Sequence, residues 1–187
     1  MILVRHAESE WNFHYGRTRI DPGIPDPPLT AAGRAQAERL IVEFAALDVC
    51  QLLASPYRRA LETATIVARG LNLSISVEPL VRERCAFSCD LGTPRSLLGR
   101  HWPDLDFDHL EERWWGEQEE SAASLDRRCA VFHAKTAHLP ERHRTAVISH
   151  WGFIRALTGH EIGNGCFVRL HATDPVAGSP SLVHPIR

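Results

Sequence analysis

The sequence predicts an α/β protein whose parallel-dominated sheet is covered by helices on both faces. Two observations carry that expectation. Short apolar runs at Ile2–Val4, Gln51–Ala54, Ile75–Val77 and Thr145–Ser149 alternate with longer stretches of helical period. The 187 residues, 44% hydrophobic and 24% charged, suit one domain, residues 1–187, with a sizeable core. A third observation adds a site to the fold: two of the runs end directly in a histidine, His6 and His150.

In chain order, Ile2–Val4 reads as a buried strand stopping at Arg5-His6, after which Glu8-Ser9-Glu10 opens a loop or helix. A loop is expected after Asn12, through Gly16, Arg17 and the prolines at 22, 25, 27 and 28, which forbid regular structure. Thr30 is a plausible N-cap for a helix to about Ala46, with Ala37, Leu40, Ile41 and Phe44 on its buried stripe. Gln51–Ala54 is a strand, ended by Ser55-Pro56, and a helix follows through about Gly70. Ile75–Val77 is a brief strand. Residues 82–120 mix glycine, proline, charge and tryptophan without a clean period and read as an insertion. Within it, a short helix is expected over Pro94–Trp102 and another over Asp104–Glu112. Trp114-Trp115 either wall a small core or face a ligand. Ser121–Leu139 reads as a helix ended by Pro140, Thr145–Ser149 as a strand, Phe153–His160 as a helix, and Gly165–His171 as an edge strand. Residues 173–187, with three prolines and two serines, read as a loose tail.

The net charge of −2 marks neither a nucleic-acid binder nor a membrane-surface protein, and no apolar run reaches the length of a membrane span. The first strand begins at once, leaving no room for a signal peptide. The five cysteines, 50, 85, 89, 129 and 166, are odd in number and irregularly spaced, which suits reduced thiols in a cytoplasmic protein. Cys85-x-x-x-Cys89 lacks a second pair, and the eleven histidines are scattered, so no metal is expected.

Ligands of open α/β sheets bind beyond the carboxyl ends of the strands. Two strands ending in histidine can therefore bring both imidazoles, with Arg5, into one cleft; alternatively each is a loop histidine with no partner. The pattern resembles the histidine phosphatase superfamily, or phosphoglycerate-mutase-like family. The resemblance rests on Arg5-His6-Ala7-Glu8 with Asn12, on Pro28-Leu29-Thr30 followed by Gly33 and Gln36-Ala37, and on Ser55-Pro56 followed by Arg59-Ala60 and Thr63-Ala64. Arg82-Glu83 and Ser149-His150 complete it. It covers most of residues 1–170. The resemblance implies a three-layer α/β/α sandwich with one antiparallel strand.

Phosphate esters carry about two negative charges near neutral pH and call for guanidinium groups, whose fork meets two oxygens. Arg5 and Arg59 each follow a short strand closely. The family's arginine precedes the alanine, which selects Arg59 and leaves Arg58 as a solvated helix residue. Asn12 can donate an amide hydrogen to a phosphoryl oxygen or serve as a local cap. By the resemblance, His6 is the nucleophile, forming a phosphohistidine. Its other ring nitrogen needs an acceptor, for which a carbonyl near Gly16–Arg17 is expected. His150, cationic when facing phosphate, would stabilise the transferring group. The family's acid falls on Glu83; Glu8 and Glu10 are reserves, and a surface ion pair with Arg82 or Arg84 is the plainer reading of Glu83. No cofactor is implied.

Two departures concern the substrate. The family often has His-Gly-Gly where this chain has His150-Trp151-Gly152, so the Trp151 amide can point at phosphate while its indole narrows the mouth. After Glu83 the usual Gly-x-Trp-Glu-Gly is replaced by Cys85-Ala86-Phe87-Ser88-Cys89. Arg95, after the rigid Gly92-Thr93-Pro94 turn, is expected either to bind a second anionic group of a small polar substrate or to pair with Asp90 or Glu112. The leading expectation is a metal-independent phosphatase acting on a small phosphorylated substrate. A phosphoglycerate-type mutase stands second, because the stretch between Glu83 and His150 leaves little room for a lid. A catalytically silent phospho-ligand module stands third.

Overall fold

Strand β1 (Ile2–Arg5) lies inside the sheet, because its apolar residues can be buried on both sides. The structure, a computed structural model, describes residues 1–116, 119–174 and 176. The other elements follow in order: α1 (Glu10–Thr18), α2 (Ala31–Ala46), β2 (Gln51–Ala54), α3 (Arg58–Leu71), β3 (Ile75–Val77), α4 (Arg95–His101), α5 (Ala122–Thr136), β4 (Thr145–Ser149), α6 (Trp151–Thr158) and β5 (Phe167–Arg169). The strands form one sheet in the order β3-β2-β4-β1-β5. The first four are parallel, while β5 runs antiparallel on β1 at the edge.

Alternation along the strands divides the core in two. Ile2, Val4, Leu52, Ala54, Ala146 and Ile148 face Leu40 and Phe44 of α2 and Leu61, Ala64 and Val67 of α3. Leu3, Leu53 and Val147 face Leu125, Cys129 and Phe132 of α5 and Phe153, Ile154 and Leu157 of α6. This is the three-layer arrangement that the sequence implies.

Helix starts follow their capping residues. Thr30 accepts from the Gly33 N–H, and Ser121 from that of Ser124. Ser9 and Asn12 form a capping box on α1. That box carries α1 through Gly16 and Arg17, where a loop was expected; the proline argument holds only from Pro22 onward. Gly159, at φ 76°, closes α6. The expected helix over Asp104–Glu112 is absent: the segment makes turns, with the Asp106 side chain accepting from the Asp108 N–H in competition with helix. Of the tail expected at 173–187, all but 173, 174 and 176 lie outside the described residues. Among the described residues no helix is long and apolar enough to cross a membrane.

Trp114 and Trp115 join the core rather than a ligand site. The Trp114 ring meets Tyr57 edge-on at 4.7 Å, and its Nε1 donates to the Thr93 carbonyl at 2.9 Å. Both rings crowd Gly92, where a Cβ would come within 2.6 Å of Trp114.

Candidate active site

Three parallel strands, β2, β4 and β1, lie side by side and end on the same edge, so the residues after them form a row: Ser55, His150, His6. Strand spacing of about 4.8 Å sets the separation. The two imidazole centroids are 5.0 Å apart, and a ring nitrogen, Nε2, of His150 lies 2.8 Å from Ser55 Oγ. The backbone continues the ladder past the strands, with the His6 N–H donating to Ser149 at 2.9 Å and the Ser55 N–H to Ile148 at 3.0 Å.

Beyond this edge opens a cleft of about 630 Å³, lined among others by Arg5, His6, Asn12, Arg59, Glu83 and Trp151. His6 Nδ1 is 2.8 Å from the carbonyl of Ala7. Donation there leaves the lone pair on Nε2. The expected acceptor near Gly16–Arg17 is therefore replaced by the next residue in the chain, which the tight exit from β1 brings round. The loop is itself held: the Ala7 N–H donates to Thr63 Oγ1 on α3, and Asn164 Nδ2 donates to the His6 carbonyl. Burial first, then the charges of Arg59 and Arg5, hold the His6 pKa well below that of a free imidazole. It is neutral at neutral pH, as a nucleophile must be.

His150 is fully buried one step behind His6, against the edge of Tyr57. Burial, then Arg59 and His6, push its pKa well down as well. In the free protein it is neutral; the cationic form expected from the sequence would need the charge of a bound phosphate. Its Nδ1, like Arg5 Nε, is buried without a hydrogen-bond partner.

Arg59 is buried and spans the irregular segment, donating to the Cys89 carbonyl at 2.6 Å and to Asp90 Oδ1 at 3.0 Å. Arg58 points outward to Glu62. Arg5 donates to the Ile162 carbonyl. Glu83 accepts from the N–H groups of Arg84, at 2.8 Å, and Gly152, at 3.1 Å. Burial, with Asp90 adding to it, raises the Glu83 pKa against those two donors. A surface pair with Arg82 or Arg84 does not form: Arg84 turns to Glu119 and the Glu120 carbonyl, and Arg82 approaches Glu120. A Cβ at Gly152 would lie 2.5 Å from Glu83 Oε1, so a side chain there would displace that carboxylate.

Asn12 serves as the local cap that was one of its two readings. Its Oδ1 closes the helix cap and accepts from Asn164, while the residue still lines the cleft. Trp151 begins α6 at the cleft, with Arg155 over its ring. The reserve acids stand elsewhere: Glu8 accepts from Thr30 Oγ1, and neither it nor Glu10 is among the residues lining the cleft. Arg95 is a correction. It faces Glu112 at 3.7 Å and Asp108 at 3.9 Å and lines a separate depression instead of the cleft, so the pairing with Glu112 holds and the second-anion reading does not. The arginines that do reach the cleft mouth are Arg19 and Arg84.

Sequence reasoning missed Asp90, Ser55 and Asn164. Ser55 was within reach, since it follows a strand as His6 and His150 do. A buried Arg59 demands a counter-charge, but nothing in the spacing selects Asp90. Asn164, far along the chain, carries no local signal.

A mostly parallel sheet with two histidines and two arginines gathered at one edge defines a class of anion-handling α/β proteins. The chain belongs to the histidine phosphatase superfamily (branch 1), whose profile matches residues 1–166. A protein of Enterobacter sp. (strain 638) named probable phosphoglycerate mutase GpmB is 32% identical over 161 residues, which cover 80% of this chain and 68% of that protein. Phosphoserine phosphatase 1 of Hydrogenobacter thermophilus is 39% identical over 83 residues, 44% of this chain and 37% of that one. The mycobacterial glucosyl-3-phosphoglycerate phosphatase in complex with VO3 shares the fold, at a TM-score of 0.60 and 18% identity over 89% of this chain and 88% of the other. A Thermus thermophilus protein, TTHB049, aligns at a TM-score of 0.55 and 26% identity, over 89% of each.

Proposed function

We propose that this protein is a phosphatase that hydrolyses a small phosphomonoester through a phosphohistidine on His6. The observation that carries the reading is the pairing of a neutral, oriented His6 with Arg5, Arg59 and a protonatable Glu83 in one cleft. In the first step the His6 Nε2 lone pair attacks phosphorus in line, the phosphorus–oxygen ester bond breaks, and Glu83 gives its proton to the departing alkoxide. In the second, Glu83 as carboxylate takes a proton from water, whose oxygen attacks the phosphohistidine and releases inorganic phosphate. Arg5 and Arg59 meet the charge on the equatorial oxygens, and the orphaned Arg5 Nε and His150 Nδ1 gain acceptors when a phosphoryl group enters. Asn12 and the Trp151 amide complete the binding set. All of these groups belong to the chain, and the reaction as written needs no metal or cofactor.

The mutase reading is kept alive by the relative named probable phosphoglycerate mutase. One experiment addresses both. Incubation with labelled phosphoester and an alkaline denaturing quench should leave base-stable, acid-labile label on the native protein and none on His6→Ala, whose turnover should fall more than about 10³-fold. Label retained by His6→Ala would overturn the nucleophile. Exchange of label between 2- and 3-phosphoglycerate faster than phosphate release would make the protein a mutase.

A further inference from the structure

Phe87 leaves 43% of its surface open and Trp151 36%, and both line the cleft that holds His6. Single exposed aromatics are ordinary on protein surfaces. These two differ in being backed and fixed. The Phe87 ring packs on Trp11 at 5.1 Å and Tyr15 at 5.5 Å, which are stacked on each other at 4.4 Å. Its backbone is pinned: the N–H groups of Ala86 and Phe87 both donate to Asp90 Oδ2 at 3.1 Å. The other oxygen of that carboxylate holds Arg59. One residue on, the Ser88 N–H and Oγ both donate to Asp21, which also accepts from Trp11 Nε1 at 2.9 Å. Arg59 and the open ring are thus mounted on one buried carboxylate, Asp90, and the ring and its backing are tied by a second, exposed one, Asp21. Trp151 has Arg155 over its ring, 5.1 Å from its centroid.

We propose that Phe87, backed by Trp11 and Tyr15, and Trp151 form a stacking subsite that selects phosphomonoesters whose leaving group carries a planar aromatic ring, as in a nucleoside 5′-monophosphate. This deepens the phosphatase reading and rests on it for the position of the phosphate. A rigid ring loses little freedom when a second ring stacks on it, and prior fixing of Phe87 removes the ordering cost from binding. The cleft, about 630 Å³, has the size of sites that enclose ring-bearing small molecules. An aliphatic phosphoester of the same charge would keep the anion contacts and forgo the stacking.

The test measures binding to the His6→Ala protein, in which phosphoryl transfer is blocked, by calorimetry with adenosine 5′-monophosphate and glycerol 3-phosphate. The ring-bearing ester should bind about tenfold tighter, a size ordinary for stacking on an aromatic side chain. Adding Phe87→Ala should bring that ratio close to one, Phe87→Leu should leave it low, and Phe87→Tyr should restore it. Equal affinities, binding of neither ester, or a ratio indifferent to Phe87 would overturn the subsite. Turnover by the native protein is scored separately: a retained binding preference with no turnover of either ester sinks the phosphatase reading, whereas turnover without preference sinks the subsite. Phe87 is half open and its loop is held through backbone groups, so these variants keep the fold.

Discussion

The strand edge and the segment from Arg82 to Gly116 meet in one cleft, but different forces hold them. At the edge, His6, Ser55 and His150 stand where the sheet ladder leaves them: the N–H groups of His6 and Ser55 donate to β4, and His150 ends β4 itself and opens α6. The segment has little ladder of its own. Asp90 ties Ala86, Phe87 and Arg59; Asp21 ties Ser88; Asp26 ties Thr93 and the start of α3. The proposed nucleophile follows directly on regular structure, whereas the proposed acid Glu83 and the proposed recognition residues sit on a segment fastened by three carboxylates. A site built this way can change its cleft wall by exchanging residues 85–88 while Asp90 keeps its hold on Arg59 and the row of strand tips stands.

Breaking one fastening gives the largest effect. Asp90→Ala leaves Arg59 buried without its counter-charge and frees two loop amides. Loss of one partner of a buried pair costs about 3–5 kcal/mol, so thermal unfolding followed by circular dichroism should move down by roughly 10 °C. A drop of only a degree or two would mean that the loop is held by its apolar contacts instead.

The strand edge can be probed by pH. Both His6 and His150 have folded pKa values well below 6.5, the ordinary value that they regain on unfolding. Below that value the unfolded chain binds protons that the folded one refuses. Stability is therefore full well above pH 6.5 and falls as pH drops, with a slope that approaches about 1.4 kcal/mol per pH unit for each histidine below pH 6.5. Urea titrations between pH 7 and 5.5 should show a slope that His6→Ala reduces by about half. A flat profile would contradict the buried, neutral pair.

The smallest effect sharpens the boundary of the cleft. Arg95→Ala should leave the Michaelis constants of carboxylate-bearing and plain phosphoesters in the same ratio, because its partners Glu112 and Asp108 lie on the outer surface. A selective rise for the carboxylate-bearing ester would return Arg95 to the site.

What was legible divides along the same line. β1, β2, β3 and β4 could be read from apolar runs, and α2, α3 and α5 from period and caps, because burial and capping are local in sequence. His6, Arg5, Arg59, Glu83 and His150 were readable because ordered motifs mark them, and the structure brings all five together. Arg95 misled because a turn fixes where a chain bends, but not which side of the wall the next helix takes. Asp90, Asp21 and Asn164 were invisible. Their partners lie tens of residues away, and a lone polar residue in an aperiodic stretch announces nothing about what it will hold.

β1 is made before the other four strands of its sheet, yet it is an inner strand. One neighbour is β4, at Thr145–Ser149, and the other is β5, at Phe167–Arg169. On a ribosome the proposed nucleophile therefore waits for both of these later strands. A chain synthesised as far as His138 already contains His6, Arg59 and Glu83, but neither strand that seats the first of them. Closing so long a loop is slow, and until it closes the apolar Ile2-Leu3-Val4 edge is open on both sides. The proposed nucleophile is thus synthesised well before the two strands that seat it, and in that interval the apolar edges of β1 have no partner.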